Sequence, residues 1–155
     1  MPLEFEFLSP TDKPALLGLS TLEWQARSMA TLNEMGFKVH CAESHEDFQN
    51  RFTAIQYHVV VIEELFASTN PAENLSLQWL QALAMGLRRH CTILLLGDSF
   101  QTMHPMQAFA QSVHAVVNSA DLASLDQIIL KTRADNDLFL HMYRDTQQRI
   151  AAGKA

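Results

Sequence analysis

Apolar and polar positions alternate in blocks along this chain. Short apolar runs begin near Ala15, Phe37, Val59, Thr92 and His114, at intervals of 22, 22, 33 and 22 residues. Each interval is about what a strand, a turn, a three-turn helix and a second turn require. Ala15 to Leu19, Val59 to Ile62 and Ile93 to Leu96 are nearly all apolar, as strands covered on both faces of a parallel sheet are. Phe37-Lys38-Val39-His40-Cys41 alternates instead, the pattern of an edge strand with one partly wet face. Ala115-Val116-Val117 closes the series.

The stretches between these runs carry helical spacing. A first helix starts near Leu22, turns Leu22, Ala26, Met29 and Met35 toward one face, and stops at Gly36. Ser44-His45-Glu46-Asp47 resembles a capping box ahead of Phe48, Phe52 and Ile55 at i, i+4 and i+7. A longer connection, Ala67 to Asn74, fills the one irregular interval. The helix after it is expected to bury Leu80, Leu83, Ala84 and Leu87, with Trp79 flanking them. Gly97-Asp98-Ser99 turns the chain after the fourth strand, and a short fourth helix follows around Pro105 to Ser112.

The fifth and last helix begins near Asp121 with Leu122, Leu125, Ile128 and Ile129, then continues through Leu138 and Met142 towards Arg149. At about 28 residues it is twice the usual length. Its first half can cover a sheet, and its second half must extend past it. The pattern divides the chain into a leader over 1–14, one domain over 15–133 and a helical extension over 134–155.

Composition narrows the function classes. A chain of 155 residues with 48% hydrophobic and 18% charged residues suits one globular domain. Net charge is −6, and no basic face stands out along the sequence. Arg88-Arg89-His90 reads as a helix C-terminus. Nucleic acid is therefore not an expected partner, since phosphate contacts dominate such binding. No apolar run reaches the ~18 residues of a membrane span, so no membrane association is expected. Met1 to Pro14 lacks the order of a signal peptide, and Cys41 and Cys91 read as free buried thiols. Both point to the cytoplasm.

Five βα units, with the alternating strand second and the apolar strands first, third and fourth, fit a flavodoxin-like α/β fold: a doubly wound five-stranded parallel sheet of order 2-1-3-4-5. From about Ala15 to Leu130 the chain resembles the receiver domain of bacterial response regulators. Glu34-Met35-Gly36-Phe37 is similar to that family's first-helix ending. Tyr57-His58-Val59-Val60-Val61-Ile62-Glu63 resembles its third strand, and Ala115-Val116-Val117-Asn118-Ser119 its fifth.

The resemblance implies an acidic pair after strand one to hold Mg²⁺, a phospho-accepting Asp after strand three, a Ser or Thr after strand four and a Lys after strand five. By position these are Leu19-Ser20, Glu63, Gly97 (with Asp98 and Ser99 beyond it) and Asn118. Every position departs from the pattern. A Mg²⁺ ion needs several oxygen ligands, and phosphoryl transfer needs cationic charge around it. The implied site is a degenerate receiver pocket of Leu19, Ser20, Glu63, Gly97, Asp98 and Asn118 that does not accept phosphate. The last third, from Phe100-Gln101-Thr102-Met103 to Ala134-Asp135-Asn136-Asp137-Leu138-Phe139, is also similar to the receiver-like half of uncharacterised bacterial proteins that begin with a zinc ribbon. This chain has no CxxC for such a ribbon.

Other chemistries are weaker. Glu63 reads first as a solvated strand-end residue and second as a fixed charge imitating a phospho-aspartate. Glu63, Glu64 and Asp98 could be drawn as a cation site, but no further clear ligand joins them. The seven histidines show no metal spacing, and nothing places Cys41 or Cys91 beside a base. Gly18-Leu19-Ser20-Thr21-Leu22-Glu23 lacks the second glycine a flavin phosphate loop needs. No catalytic residue, cofactor or metal is expected. Trp79, Phe109 and Phe139 read as core or helix-face residues, and Met103, His104 and Met106 as a pliable docking surface.

The expected function is a non-catalytic pseudo-receiver, a protein-interaction module in bacterial signal transduction. The alternative is a small-molecule or metal-binding domain, or a small enzyme, using a crevice lined by Ser20, Glu63, Asp98 and Asn118 at the strand C-termini. Receivers commonly pair through the fourth helix, fifth strand and fifth helix, and the resemblance implies the same face here. The sequence adds its own argument for a homodimer. Beyond Thr132 the last helix still carries Leu138, Phe139, Leu140, Met142, Tyr143 and Ile150, too much apolar surface for a free extension.

Overall fold

The computed structural model describes residues 8–88 and 90–153. Five parallel strands, β1 (Lys13–Gly18), β2 (Phe37–Cys41), β3 (Val59–Glu63), β4 (Thr92–Leu96) and β5 (Ala115–Val117), form one sheet of order β2-β1-β3-β4-β5. This is the doubly wound order read from the sequence. β1 takes in Lys13 and Pro14, which the pattern had placed in the leader, and residues 1–7 of that leader lie outside the described residues. β2 and β5 are the two edges. β2 is the wetter one, as its sequence suggested, but its burial does not follow the alternation: Phe37 and His40 are buried, and Lys38, Val39 and Cys41 are half-buried.

Within the apolar runs, successive side chains go to opposite layers, as the pleat demands. Ala15, Leu17, Val59, Val61, Leu94, Leu96 and Val117 pack with α1 (Leu22–Glu34) and α6 (Leu125–Ala151). Leu16, Val60, Ile62, Ile93, Leu95 and Val116 pack with α2 (His45–Ala54), α3 (Leu75–Ala82) and α5 (Pro105–Ala110). Ser44 caps α2 by accepting from Asp47 N–H at 3.0 Å. The Asp47 carboxylate takes Glu43 N–H at 2.9 Å, one residue earlier than a capping box would place it.

Three sequence expectations are corrected. The buried stripe of α1 is Ser28 and Leu32, with Trp24, Met29 and Met35 packed alongside, while Leu22 is 78% exposed and Ala26 is exposed. The first turn stands at the rim of the sheet, where Leu22 has no layer to meet. Trp24 and the small Ser28 set the face instead. The third predicted helix is split: α3 ends at Ala82, Leu83 after it is extended, and a four-residue α4 (Met85–Arg88) follows. Gly86 weakens helix propensity there, and the Arg88 guanidinium donates to the Leu80 and Ser112 carbonyls, holding the second turn off-axis. Leu87 is 60% exposed and Ala84 is exposed as a result.

The last helix is one continuous α6 of 27 residues, preceded by a 3₁₀ turn over Ser119–Ser124. It buries Leu125, Ile128, Ile129, Thr132, Asn136 and Leu140, so the domain holds it to Leu140 rather than releasing it at Thr132. The fourth and fifth helices of the sequence reading are α5 and α6. Among the described residues, no helix is long and apolar enough to cross a membrane.

Candidate functional site

Parallel register brings the C-terminal ends of β1, β3, β4 and β5 to one rim: Gly18 pairs with Ile62, Glu63 with Leu96, and Leu96 with Val117. All six residues of the anticipated pocket stand on this rim. Their side chains do not converge on a common point.

After β1, Leu19 is 4% exposed and packs into the core layer under α1. The Ser20 hydroxyl accepts from Ala67 N–H at 2.7 Å. Glu63 is 4% exposed rather than solvated. Its carboxylate accepts from Thr21 N–H at 3.0 Å, at the start of α1. Thr21, the cap residue of α1, makes no capping bond with its own side chain. The Glu63 carboxylate therefore supplies negative charge where the helix dipole favours it.

Glu64 closes the middle of the rim. Its side chain lies across Gly97: a Cβ on Gly97 would stand 2.6 Å from Glu64 Oε2, 3.1 Å from Glu64 Cβ and 3.1 Å from the Phe100 ring. The Ser99 hydroxyl donates to the same Glu64 oxygen at 2.6 Å. Where the receiver pattern calls for Ser or Thr, a side chain would press on this carboxylate and on the Phe100 ring. Beneath it, buried Asn74 donates to the Glu63 and Glu64 carbonyls at 2.9 and 3.0 Å and accepts from Leu77 N–H at 3.1 Å, capping α3.

At the far end Asn118 donates to the Phe100 carbonyl at 2.9 Å and the Asp98 carbonyl at 3.3 Å. Its own carbonyl accepts from Ala120 N–H at 2.9 Å. The exposed Asp98 carboxylate accepts from the Ser119 hydroxyl. These residues do not fit a Mg²⁺ ion: a leucine and an engaged serine replace the acidic pair, and Glu63 is turned onto Thr21. Glu63, Glu64 and Asp98 each serve a different local donor, and no group of three metal-binding side chains occurs among the described residues. The sequence reading noted Glu64 but missed the roles of Thr21, Asn74 and Ser99. An Asn directly before Leu75-Ser76-Leu77 was the available capping signal.

Four histidines make structural contacts. His40 Nδ1 bonds the Tyr57 hydroxyl at 2.8 Å, and His45 Nδ1 engages Ser76. His104 caps α5 by accepting from Gln107 N–H at 3.2 Å, and His114 accepts from Ile93 N–H at 2.9 Å. Both thiols are free; burial pushes each above the ordinary thiol range, partly offset at Cys41 by Gln25.

On the flank of the sheet, α5 and α6 bound an open cavity of about 570 Å³. Met103, Phe109, Val113 and Phe139 give it apolar walls, and exposed His114 and buried Asn136 also line it. Phe109 and Phe139, expected in the core or on a helix face, are 79% and 54% exposed at its lips. Of the anticipated Met103, His104 and Met106 surface, only Met106 is open to solvent, at 66%; Met103 packs on the core.

No family model and no curated protein matches this sequence. Solved structures do. A CheY-like response regulator receiver domain protein from Methanospirillum hungatei is 11% identical with a TM-score of 0.63, over 82% of this chain and 98% of that one. The fold is that of receiver domains. An orphan response regulator of H. pylori is 16% identical with a TM-score of 0.54, over 75% of this chain and 95% of that one. A fusion carrying a yeast Spc42 trimeric coiled-coil segment is 14% identical with a TM-score of 0.62, over 94% of this chain and 92% of that one. Identities this low carry likeness of fold and not of chemistry.

Proposed function

We propose that this chain is a non-catalytic pseudo-receiver, a cytoplasmic protein-interaction module of bacterial signal transduction. Its unit, drawn over residues 15–133 from the sequence, takes in β1 from Lys13 and α6 as far as Leu140, with the rest of 134–155 as a helical extension. One observation carries the reading: at the phosphotransfer rim each polar side chain is spent on the protein itself. Glu63 holds the start of α1, Glu64 covers Gly97, and Asn118 ties the loop after β4. An in-line phosphoryl donor needs a free oxygen nucleophile and nearby cations, and this rim presents carboxylates already hydrogen-bonded. The same closure disfavours a ligand crevice lined by Ser20, Glu63, Asp98 and Asn118.

The interaction surface of this reading is α5, β5 and α6, used by a second copy. Met106 and Phe109 on α5 and Leu138, Phe139 and Met142 on α6 are each more than half exposed. Together with the cavity between the two helices they offer both protruding aromatics and a recess to receive them, as a two-fold interface requires. Two measurements test the proposal. Incubation with acetyl phosphate and Mg²⁺, followed by intact mass, is expected to leave the mass unchanged. An adduct lost in Glu63→Ala overturns it. Light scattering at about tens of micromolar is expected to give a dimer that Phe109→Asp dissociates, whereas a monomeric parent chain removes the homodimer.

A further inference from the structure

The opposite rim of the sheet, where the strands begin, has a different character. An open cavity of about 450 Å³ lies there between the loops entering β3 and β4 and one face of α6. Arg133, Asp137, His141 and Arg144 line it from α6 at i, i+4, i+8 and i+11, a single stripe of the helix. His58 and His90 line it from the two loops. Lys13 of β1 stands at its margin with its ammonium 4.9 Å from the centre of the Phe37 ring, and the Arg133 guanidinium lies 5.2 Å from the same ring. One aromatic side chain thus positions two cations beside the opening.

The charge balance here opposes that of the molecule. The chain carries −6, yet this rim gathers two guanidiniums, an ammonium and three imidazoles around a single carboxylate, Asp137. Among the described residues, no carboxylate comes within ion-pair distance of Arg133 or Arg144. Lys131 and Arg149, elsewhere on the same helix, are paired with Asp135 and Asp145. Arg133 and Arg144 are separated by about 16 Å of helix axis, so a single small anion meets one of them and an extended one meets both.

We propose that this rim is a binding site for an extended phosphoryl anion, a linear run of two or more phosphoryl groups, held by Arg133 and Arg144 and closed by His58, His90 and His141. Guanidinium forks pair with phosphoryl oxygens in bidentate geometry. The imidazoles add a pH dependence. Burial first, then Arg133, Lys13 and His90, lower the His58 pKa against the opposing pull of Asp137, and burial lowers that of His90. A bound anion reverses this repulsion, so binding takes up protons and tightens as pH falls.

Tripolyphosphate titrated by calorimetry into the full-length protein at low ionic strength tests the proposal. Binding is expected to be about tenfold tighter near pH 6 than near pH 8. Arg133→Gln and Arg144→Gln are each expected to weaken it by about fivefold. Asp137→Asn is expected to strengthen it, an effect that damage to the fold cannot imitate. Lys131→Gln and Arg149→Gln remove the same charge elsewhere on α6 and are expected to leave it unchanged. Absence of binding, equal weakening by both pairs of variants, or citrate binding as tightly as tripolyphosphate would each overturn the proposal.

Discussion

Gly97 offers a quantitative test of how the strand C-terminal rim is closed. Gly97→Ala places a methyl 2.6 Å from Glu64 Oε2 and 3.1 Å from both Glu64 Cβ and the Phe100 ring. The carboxylate oxygen is the end of a flexible side chain and can swing away, at the cost of its bond from Ser99. Glu64 Cβ and the buried Phe100 ring cannot retreat so freely. Overpacking of this kind costs about 1–3 kcal/mol, and the lost hydrogen bond adds about 1 kcal/mol. A smaller unfolded ensemble returns about 0.4–1 kcal/mol, so the net destabilisation is about 1–3 kcal/mol. In Glu64→Ala the obstructing atoms beyond Cβ and the Ser99 bond are already gone. Gly97→Ala in that background still meets the Cβ of residue 64 and the Phe100 ring, but no longer costs the Ser99 bond. Urea denaturation of the parent, both single variants and the double variant gives the coupling, expected at about 1 kcal/mol with Gly97→Ala partly rescued by Glu64→Ala. Additivity to within about 0.5 kcal/mol would refute the account of Gly97 as space ceded to Glu64.

Three further outcomes follow from the same geometry. Asn74→Ala removes two donated bonds and the cap of α3 from a fully buried site, and denaturation is expected to show a loss of about 2–3 kcal/mol. Cys91 is fully buried with its thiol pushed up by desolvation, whereas Cys41 is half-buried; in a disulfide-exchange assay Cys41 is expected to react first and Cys91 only on unfolding. His58, His90 and His114 all have pKa values lowered in the fold, chiefly by burial. Below about pH 6.5 the unfolded chain then binds more protons than the native one, so stability is fully present above that pH. Melting temperatures are expected to fall as pH drops through the native pKa values, and a melting temperature that rose over that window would contradict the sign.

The strands and their order were legible because a parallel sheet buried on both faces demands unbroken apolar runs; of the two edges only β2 carries a broken run, while β5 is apolar and buried throughout. The length of the last helix was legible for the same reason, as periodicity without a breaker. Helix faces were less so. On α1 the choice between a Leu22 stripe and a Trp24 stripe depends on where the helix meets the sheet, which spacing alone does not encode. The split after α3 depends on Arg88 reaching carbonyls eight residues before and 24 residues after it. The site was legible as a set of positions and illegible as contacts. Glu63 looked solvated because its partner, Thr21 N–H, is a backbone group 42 residues away.

The two rims of the sheet fit one electrostatic argument. In a doubly wound fold the helices run against the strands, so helix N-termini and their positive partial charge gather at the strand C-termini. Receivers, as the resemblance implies, place a phosphoryl group there. This chain places its own carboxylates there, with Glu63 at the start of α1 and Glu64 and Asp98 on serine hydroxyls. At the strand N-termini the helix ends are negative, and cations are needed to offset them. Arg133 and Arg144 face a cavity lined by one acid, with Lys13 at its margin, whereas Lys131 and Arg149 on α6 already have carboxylate partners. The contributors come from β1, two loops and α6, spread over more than 130 residues of sequence from Lys13 to Arg144. That spread hid a basic face in an acidic chain, and it sets the strand N-terminal rim, where cations face an open cavity, against the strand C-terminal rim, where carboxylates are hydrogen-bonded to the protein itself.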